Sequence, residues 1–416
     1  MDLFTLITLL IVAAALFAYF NTRLLKLPDA IGIMVVSLGF SLALVGLAWV
    51  QPTWFEEVRH TVQKIKFDKV LFDVMLSLLL FAGAFHTDAA KLKVEQRSVM
   101  LFAVVGVLLS TGLIGTGLYY LGGWLGLGLS YPLCLLFGAL ISPTDPIAVL
   151  GILARFKQLP DNVKMNIVGE SLFNDGVGVV VFASLYRLVL GGAEGVGAGS
   201  IAWLFVEEAG GGVLFGLAMG YGLYRLLRTI NHYQTEVILT LAAVMGGYLL
   251  AQRLHVSGPL AMVVAGLLVG DRAREDAMSH QTEDYIDKFW ELIDVILNAL
   301  LFVLIGVELL VIKFEQSYWL ISGLAVVLVL AARYVAVWLP YRLARPWLSL
   351  DDKAPLMMTW GGLRGGISVA LALSISDAVP HKNLLVAITY AVVVFSVIGQ
   401  GLTLEKLIRR LYPAGK

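Results

Sequence analysis

One short stretch of the chain, Ser142-Pro143-Thr144-Asp145-Pro146, places two prolines and a carboxylate inside a long apolar run. A proline removes an amide donor and disfavours helix in the residue before it, so this stretch predicts a helix interrupted around Thr144 and Asp145. Carbonyl oxygens released from helical hydrogen bonds coordinate cations, and the Asp145 carboxylate neutralises their charge. The alternative is a plain proline kink in which Asp145 only caps the second half-helix.

A second polar stretch runs from Glu170 to Asp175, again between apolar residues. On a helix, Ser171 and Asp175 are four residues apart, and so are Glu170 and Asn174. The four side chains therefore form one polar stripe that cannot face lipid. Carboxylate, hydroxyl and amide oxygens suit an alkali cation, and the carboxylate also binds a proton. The alternative is a polar seam that only holds helices together.

A third stretch, from Gly361 to Gly366, surrounds Arg364 with four glycines and predicts a second interrupted helix. An arginine keeps its proton and requires an acidic partner in an apolar region, for which Glu170 is our candidate. With Glu170 neutralised by Arg364, Asp145 and Asp175 remain as the carboxylates that bind ligands. Four other charged residues within apolar segments are either ion-paired packing elements or functional groups: Asp73, Asp294, Glu308 and Arg333.

The composition around these stretches is that of an integral membrane protein. Of the 416 residues, 59% are hydrophobic and 14% are charged, and the mean hydropathy is +0.85. A water-soluble domain does not need so much apolar surface. Thirty lysines and arginines balance thirty aspartates and glutamates, which argues against nucleic-acid binding. We find no G-x-x-x-x-G-K-[ST] motif, so we expect no nucleotide partner. The expected surroundings are the lipid bilayer.

A transmembrane helix needs roughly 20 mostly apolar residues, and charged or Gly/Pro-rich breaks divide the chain into about 13 windows of this kind. Lysines and arginines of the connecting loops are concentrated on the side that the C-terminus shares. This bias predicts a cytoplasmic C-terminus and an N-terminus outside. The predicted spans are 3–20, 29–50, 70–87, 98–121, 131–153, 164–190, 201–227, 235–252, 256–271, 287–311, 317–341, 353–376 and 383–405.

The interrupted helices are the fifth and the twelfth spans, so they cross the membrane in opposite directions. This placement is typical of inverted repeats with a binding site near the bilayer midplane. We therefore expect an all-α polytopic membrane protein in which two discontinuous helices cross near the midplane. Residues 1–416 form one transmembrane domain, with 1–190 and 235–410 as the inverted repeats and 201–227 as the connecting helix. The layout favours alternating access; a channel and a permease for a small organic solute are the alternatives.

The three stretches resemble those of the NhaP-type branch of the monovalent cation/proton antiporters, whose relatives include the sodium/proton exchangers of animal cells. The matching segments are Thr144 to Pro146, Glu170 to Gly176 and Gly362 to Gly366. The resemblance implies a secondary antiporter, not an enzyme, that needs no cofactor and exchanges Na+ or Li+ for H+ across the plasma (inner) membrane. K+/H+ exchange by the same mechanism is the alternative. The resemblance also implies a homodimer.

The resemblance further assigns roles to individual residues. Asn174 stands where electrogenic relatives have an aspartate, which implies electroneutral exchange. Ala82 departs from the pattern, because relatives commonly carry an acidic residue directly after the phenylalanine of this stretch. Glu170 and Arg364 form the implied structural ion pair. The residues implied to bind the ions are Asp145, Asp175, Ser171, Asn174 and Thr144, with Na+ itself at Asp145, Asp175, Ser171 and Thr144.

Overall fold

The computed structural model describes residues 3–48, 51–63, 65–145, 147–153, 155–191, 198–273, 280–312, 315 and 318–413. Regular secondary structure in these ranges is helical, apart from one isolated β-bridge. The α-helices are α1 (Leu3–Phe20), α2 (Asp29–Leu47), α3 (Pro52–Gln63), α4 (Phe67–Val70), α5 (Leu76–Phe85), α6 (Ala89–Met100), α7 (Val107–Trp124), α8 (Tyr131–Ile141), α9 (Ile147–Leu153), α10 (Asp161–Gly191), α11 (Ala198–Leu227), α12 (Tyr233–Arg253), α13 (Gly258–Leu268), α14 (His280–Glu308), α15 (Tyr318–Ala344), α16 (Ala354–Gly361), α17 (Gly366–Ser374), α18 (Lys382–Val394) and α19 (Gly401–Leu411).

Short π-helical turns lie within or beside the long helices. Helices satisfy their own backbone hydrogen bonds, which is the condition for placing a chain in lipid, and a π-turn keeps the bonding while shifting the register of the side chains. One such turn joins α6 and α7 into a continuous helix over 89–124, and another joins α18 and α19 over 382–411. The π-turns are Asn21–Leu25, Leu71–Met75, Leu101–Gly106, Val269–Ala273 and Phe395–Gln400.

Each predicted span contains one or more of these helices among its described residues, and the chain is a multi-pass membrane protein. Within the described ranges, eight helices are long and apolar enough to cross a membrane. The remaining helices in the predicted spans are shorter, less apolar or interrupted: span 131–153 consists of α8 and α9, and span 353–376 consists of α16 and α17. The all-α membrane fold is confirmed, whereas the number of 13 crossings stays a prediction.

Helix packing divides the described chain into two bundles. The core bundle holds both interrupted helices and consists of α6 to α10 and α15 to α19, with α15 packed against α7 and α18. The peripheral bundle consists of α1, α2, α5 and α11 to α14. Its helices approach each other closely where their residues are small. For example, a Cβ on Gly266 of α13 would lie 2.7 Å from the Phe81 carbonyl oxygen of α5. The bundles meet where α10 contacts α11 and α13, where α2 contacts α9 and where α14 contacts α17.

Candidate functional site

The two interrupted helices cross at their breaks. Residues 142–146 separate α8 from α9, and residues 362–365 separate α16 from α17. Between the breaks, the main-chain N–H of Asp145 donates to the carbonyl oxygen of Leu363 at 2.7 Å, which forms the isolated antiparallel bridge. The prediction of two discontinuous helices that cross is therefore confirmed. Pro146, one of the two prolines behind that prediction, lies outside the described residues.

Thr144, in the first break, is held by side chains of α10. Its main-chain N–H donates to Asn174 Oδ1 at 3.2 Å, and Asn174 Nδ2 donates to Thr144 Oγ1 at 2.8 Å. The hydroxyl oxygens of Thr144 and Ser171 are 2.9 Å apart. All three residues are buried, so an unmade hydrogen bond here would leave a desolvated polar group without compensation. These bonds replace the helical bonds that the break removes and fix the break against α10.

Arg364, in the second break, binds the end of the first interrupted helix. Its Nη1 donates to the carbonyl oxygens of Ser142 and Pro143, the latter at 2.9 Å. Its main-chain N–H donates to Ser396 Oγ at 2.9 Å. A cation at the C-terminal end of α8 is favourable because the terminal carbonyl groups carry partial negative charge. Both carbonyl oxygens released by the break therefore already accept hydrogen bonds from the guanidinium group of the other interrupted helix.

Glu170 pairs with a different arginine from the one we expected. Arg333 of α15 donates from Nη1 to Glu170 Oε1 and from Nη2 to Glu170 Oε2 at 2.9 Å, and both side chains are almost fully buried. The predicted Glu170–Arg364 ion pair is therefore wrong. The physical reason is that Arg333 reaches both carboxylate oxygens in the two-pronged geometry that guanidinium groups favour, while Arg364 is engaged by the carbonyls of α8.

The polar stripe of α10 divides between neighbouring elements. Successive residues point about 100° apart around a helix, so Glu170 reaches α15 while Ser171 contacts the break after α8. Asn174 also faces that break, and Asp175 lines a cavity. The four side chains are buried, as predicted, and they contact α15, the break after α8 and the cavity.

The cavity next to the crossing has a volume of about 70 Å³ and is lined by both carboxylates that we expected to bind the ion, Asp145 and Asp175. Asp145 is 7% and Asp175 is 5% exposed, and the two carboxylates interact electrostatically. Most of the remaining wall is aliphatic, from leucines of α5, α10 and α14. Two buried carboxylates that share an apolar cavity bind a proton or a small cation, because either one removes repulsion between like charges.

Asp145 also packs tightly on the second break. A Cβ at Gly365 would lie 2.5 Å from the Asp145 Cβ, so only a glycine fits at this position. Gly365 is the residue before the first turn of α17, and a helix N-terminus carries partial positive charge that stabilises a carboxylate. The glycine therefore brings the Asp145 carboxylate close to the start of α17.

The contacts of two charged residues could be found only from the structure. Arg333 is the partner of Glu170, and Asp294 of α14 lines the cavity beside Asp145 and Asp175. The sequence marked both as charges in apolar segments, but no break or motif surrounds them that would indicate a partner. Of the other two charges marked in this way, neither Asp73 nor Glu308 belongs to the described lining of this cavity.

Two carboxylates in a cavity beside crossed, discontinuous helices are characteristic of a secondary active transporter. The chain matches the family described as "Sodium/hydrogen exchanger, transmembrane" over residues 11–410. It belongs to this family of transporters.

Individual relatives match nearly the whole chain. The Na(+)/H(+) antiporter NhaP of Pseudomonas aeruginosa is 47% identical over 416 residues, which cover 98% of this chain and 96% of the relative. The Na(+)/H(+) antiporter NhaH of Halobacillus dabanensis is 36% identical over 408 residues, covering 97% and 96%. The structure of the sodium proton antiporter MjNhaP1 from Methanocaldococcus jannaschii superposes with a TM-score of 0.78 at 20% identity and covers 99% of both chains. This likeness shows the shared fold.

Proposed function

We propose that this protein exchanges Na+ or Li+ for H+ across the membrane by secondary active antiport. The observation that carries the proposal is the pairing of Asp145 and Asp175 in one small cavity beside the crossing of the two interrupted helices. A cavity of about 70 Å³ suits a small cation far better than an organic solute, whose sites are several hundred Å³ or larger. The names of the two relatives described above, both Na(+)/H(+) antiporters, support Na+ and H+ as the substrates.

The balance of buried charges supports exchange of one cation for one proton. Within the core bundle, three carboxylates and two guanidinium groups are buried around the crossing; Asp294 of the cavity wall belongs to the peripheral bundle and is not part of this count. With all of them ionised, one negative charge is uncompensated, and an uncompensated charge away from water is costly. One Na+ or one H+ removes it, so a loaded site is neutral and an empty site is charged. The five groups are Asp145, Glu170, Asp175, Arg333 and Arg364.

Each residue of the site has a role in this mechanism. Asp145 and Asp175 bind either the proton or the cation, because protonation of a carboxylate removes the charge that attracts the cation. Ser171 and Thr144 supply neutral oxygens for Na+, and Asn174 positions Thr144 through its two hydrogen bonds. The core bundle then moves relative to the peripheral bundle and exposes the loaded site to the opposite side of the membrane.

The proposal also covers the membrane, the oligomeric state and the orientation of the protein. It works in the plasma membrane as a homodimer, with the N-terminus outside and the C-terminus in the cytoplasm. The loop charges support this orientation, and the resemblance to antiporters supports the homodimer. Residues 1–190 and 235–410 are the inverted repeats and 201–227 connect them; the placement of one interrupted helix in each half supports this division.

The test is proton flux in everted vesicles, followed with a pH-gradient dye while NaCl, LiCl or KCl is added. Asp175→Asn keeps the shape of the side chain and removes its charge, so we expect no cation-dependent flux from this variant. Asp161→Asn is the matched control, because Asp161 lies on the same helix and is exposed; it should transport like the unmodified protein. Both variants are first checked for normal amounts in the membrane.

The outcomes separate the candidate functions. A Na+ or Li+ response that disappears in Asp175→Asn supports the proposal. A response to K+ alone keeps the mechanism and replaces the substrate. Normal flux from Asp175→Asn, or no response of the unmodified protein to any of the three cations, would refute the assignment.

A further inference from the structure

A groove with a volume of about 680 Å³ lies between the core bundle and the peripheral bundle. Helices α6 and α10 of the core bundle form one wall, and α11, α13 and the π-turn after α13 form the other. We call it the interbundle groove. None of its described lining residues belongs to the cavity of Asp145 and Asp175. Its volume lies in the range of sites that hold organic ligands.

The interbundle groove begins at the membrane surface and continues into the bilayer. Lys93 precedes the predicted span 98–121 by five residues, about 7.5 Å along a helix, and Asp271 is the last residue of the predicted span 256–271. Both positions fall near the headgroup layer, which adds about 5–7 Å to each side of the hydrocarbon core. Leu217 lies ten residues before the end of the predicted span 201–227, which is about 15 Å deeper along the helix.

The deeper part of the groove is apolar and open to the side. Met100, Phe173, Leu217 and Val264 line it, and Met100 and Leu217 are 45% and 44% exposed. Exposed apolar side chains within predicted spans face the hydrocarbon of the bilayer, and an apolar groove at such a surface is suited to an apolar ligand. The bilayer itself supplies one, the acyl chain of a lipid.

The end of the groove at the membrane surface carries two opposite charges, Lys93 and Asp271, together with the amide group of Gln96. Among the described residues, Lys93 and Asp271 form no ion pair with each other or with a third side chain. A lysine ammonium donates hydrogen bonds to a phosphate, and a carboxylate accepts them from an ammonium group. The two charges therefore complement a headgroup that contains both a phosphate and an ammonium group.

We propose that the interbundle groove binds phosphatidylethanolamine. The phosphate contacts Lys93 and Gln96, the primary ammonium group donates to Asp271, and an acyl chain lies along α11 and α13. Other phospholipids satisfy only part of this site. Phosphatidylglycerol has no cation for Asp271, and the quaternary ammonium group of phosphatidylcholine has no N–H to donate. The bound lipid contacts both bundles, and its binding does not depend on which cation the protein transports.

The test measures binding of chain-labelled phosphatidylethanolamine to the full-length protein in detergent, after co-purified lipid has been removed. Loss of one hydrogen bond between charged groups weakens binding about tenfold, so Lys93→Gln and Asp271→Asn should each raise the Kd by this factor. Arg97→Gln and Glu291→Gln are the matched controls, since both positions are exposed and neither lines the groove. Both controls should bind the lipid like the unmodified protein.

The choice of lipid tests the headgroup contacts separately. The unmodified protein should bind chain-labelled phosphatidylglycerol about tenfold more weakly than phosphatidylethanolamine, and Asp271→Asn should remove this difference. Glycerophosphoethanolamine has the same headgroup without acyl chains. It should displace the labelled phosphatidylethanolamine only at far higher concentrations, because it cannot fill the apolar part of the groove.

This pattern of affinities supports the lipid site. Equal Kd values for Lys93→Gln, Asp271→Asn and the two controls, or equal affinity of the unmodified protein for the two lipids, would overturn it. Displacement by glycerophosphoethanolamine at the concentration of the lipid itself would replace the lipid by a soluble phosphoester. A loss of dimers in Lys93→Gln or Asp271→Asn, seen by size-exclusion chromatography, would show that a second copy of the chain covers the groove, and would also overturn the proposal.

Discussion

Glu170 of α10 accepts hydrogen bonds from both terminal nitrogens of Arg333 of α15, and the two side chains are 1% and 4% exposed. This ion pair joins a helix of the first half of the chain to a helix of the second half, within the core bundle. Arg333 also donates to the carbonyl oxygen of Met358 at 3.3 Å, in the first part of the second interrupted helix. The pair therefore links α10 and α15 to α16, next to the crossing. Neither residue is among the described lining of the cavity.

Removal of Arg333 should destabilise the protein strongly. In Arg333→Met the Glu170 carboxylate remains buried without its partner, and breaking a buried pair in this way costs about 3–5 kcal/mol. We expect a clearly lower midpoint of thermal unfolding in detergent. The double variant Glu170→Gln with Arg333→Met should recover part of the loss, since no buried charge is left alone. Arg342→Met, an exposed position on the same helix, serves as control. An unfolding midpoint of Arg333→Met equal to that of this control would contradict the structural role of the pair.

A methyl group at Gly365 should disturb the crossing of the interrupted helices. In Gly365→Ala the new Cβ would lie 2.5 Å from the Asp145 Cβ, too close for real contacts, so the carboxylate must leave its position beside α17. We expect most of the transport rate to be lost, measured by dye dequenching in vesicles. Gly323→Ala is the matched control: Gly323 lies in α15 with nothing within 4 Å of its Cβ position. Equal transport by the two alanine variants would show that the close contact is dispensable.

Protons and cations should compete for the carboxylates of the cavity, and this competition should be measurable in the kinetics of transport. As pH falls, a larger fraction of Asp145 and Asp175 carries a proton, and fewer sites are open to Na+. The KM for Na+ should therefore rise with falling pH, while the maximal rate at saturating Na+ stays nearly constant. Initial rates in proteoliposomes at several pH values, equal on both sides, measure this. A KM independent of pH, with only the maximal rate changing, would speak for separate binding sites.

Much of the fold could be predicted from local sequence alone. The spans follow from apolar length, since every polar group of a backbone in lipid must be satisfied within its own helix. The breaks at Pro143 and around Gly362 to Gly365 follow from backbone chemistry, because proline lacks an amide donor and glycine is flexible. The sequence also predicted that the polar residues of α10 avoid lipid, but it did not predict their hydrogen bonds to Thr144.

The partner of each buried charge was decided by the tertiary structure alone. The sequence contains two intramembrane arginines that could neutralise Glu170, and their charge is identical, so nothing local distinguishes Arg333 from Arg364. The choice depends on how far each guanidinium group lies from the carboxylate once the helices have packed: Arg333 reaches Glu170, and Arg364 reaches the end of α8. Asp294 joins the cavity for the same reason. Apolar length and backbone breaks are properties of the chain, whereas distances between distant charges exist only after the helices have packed.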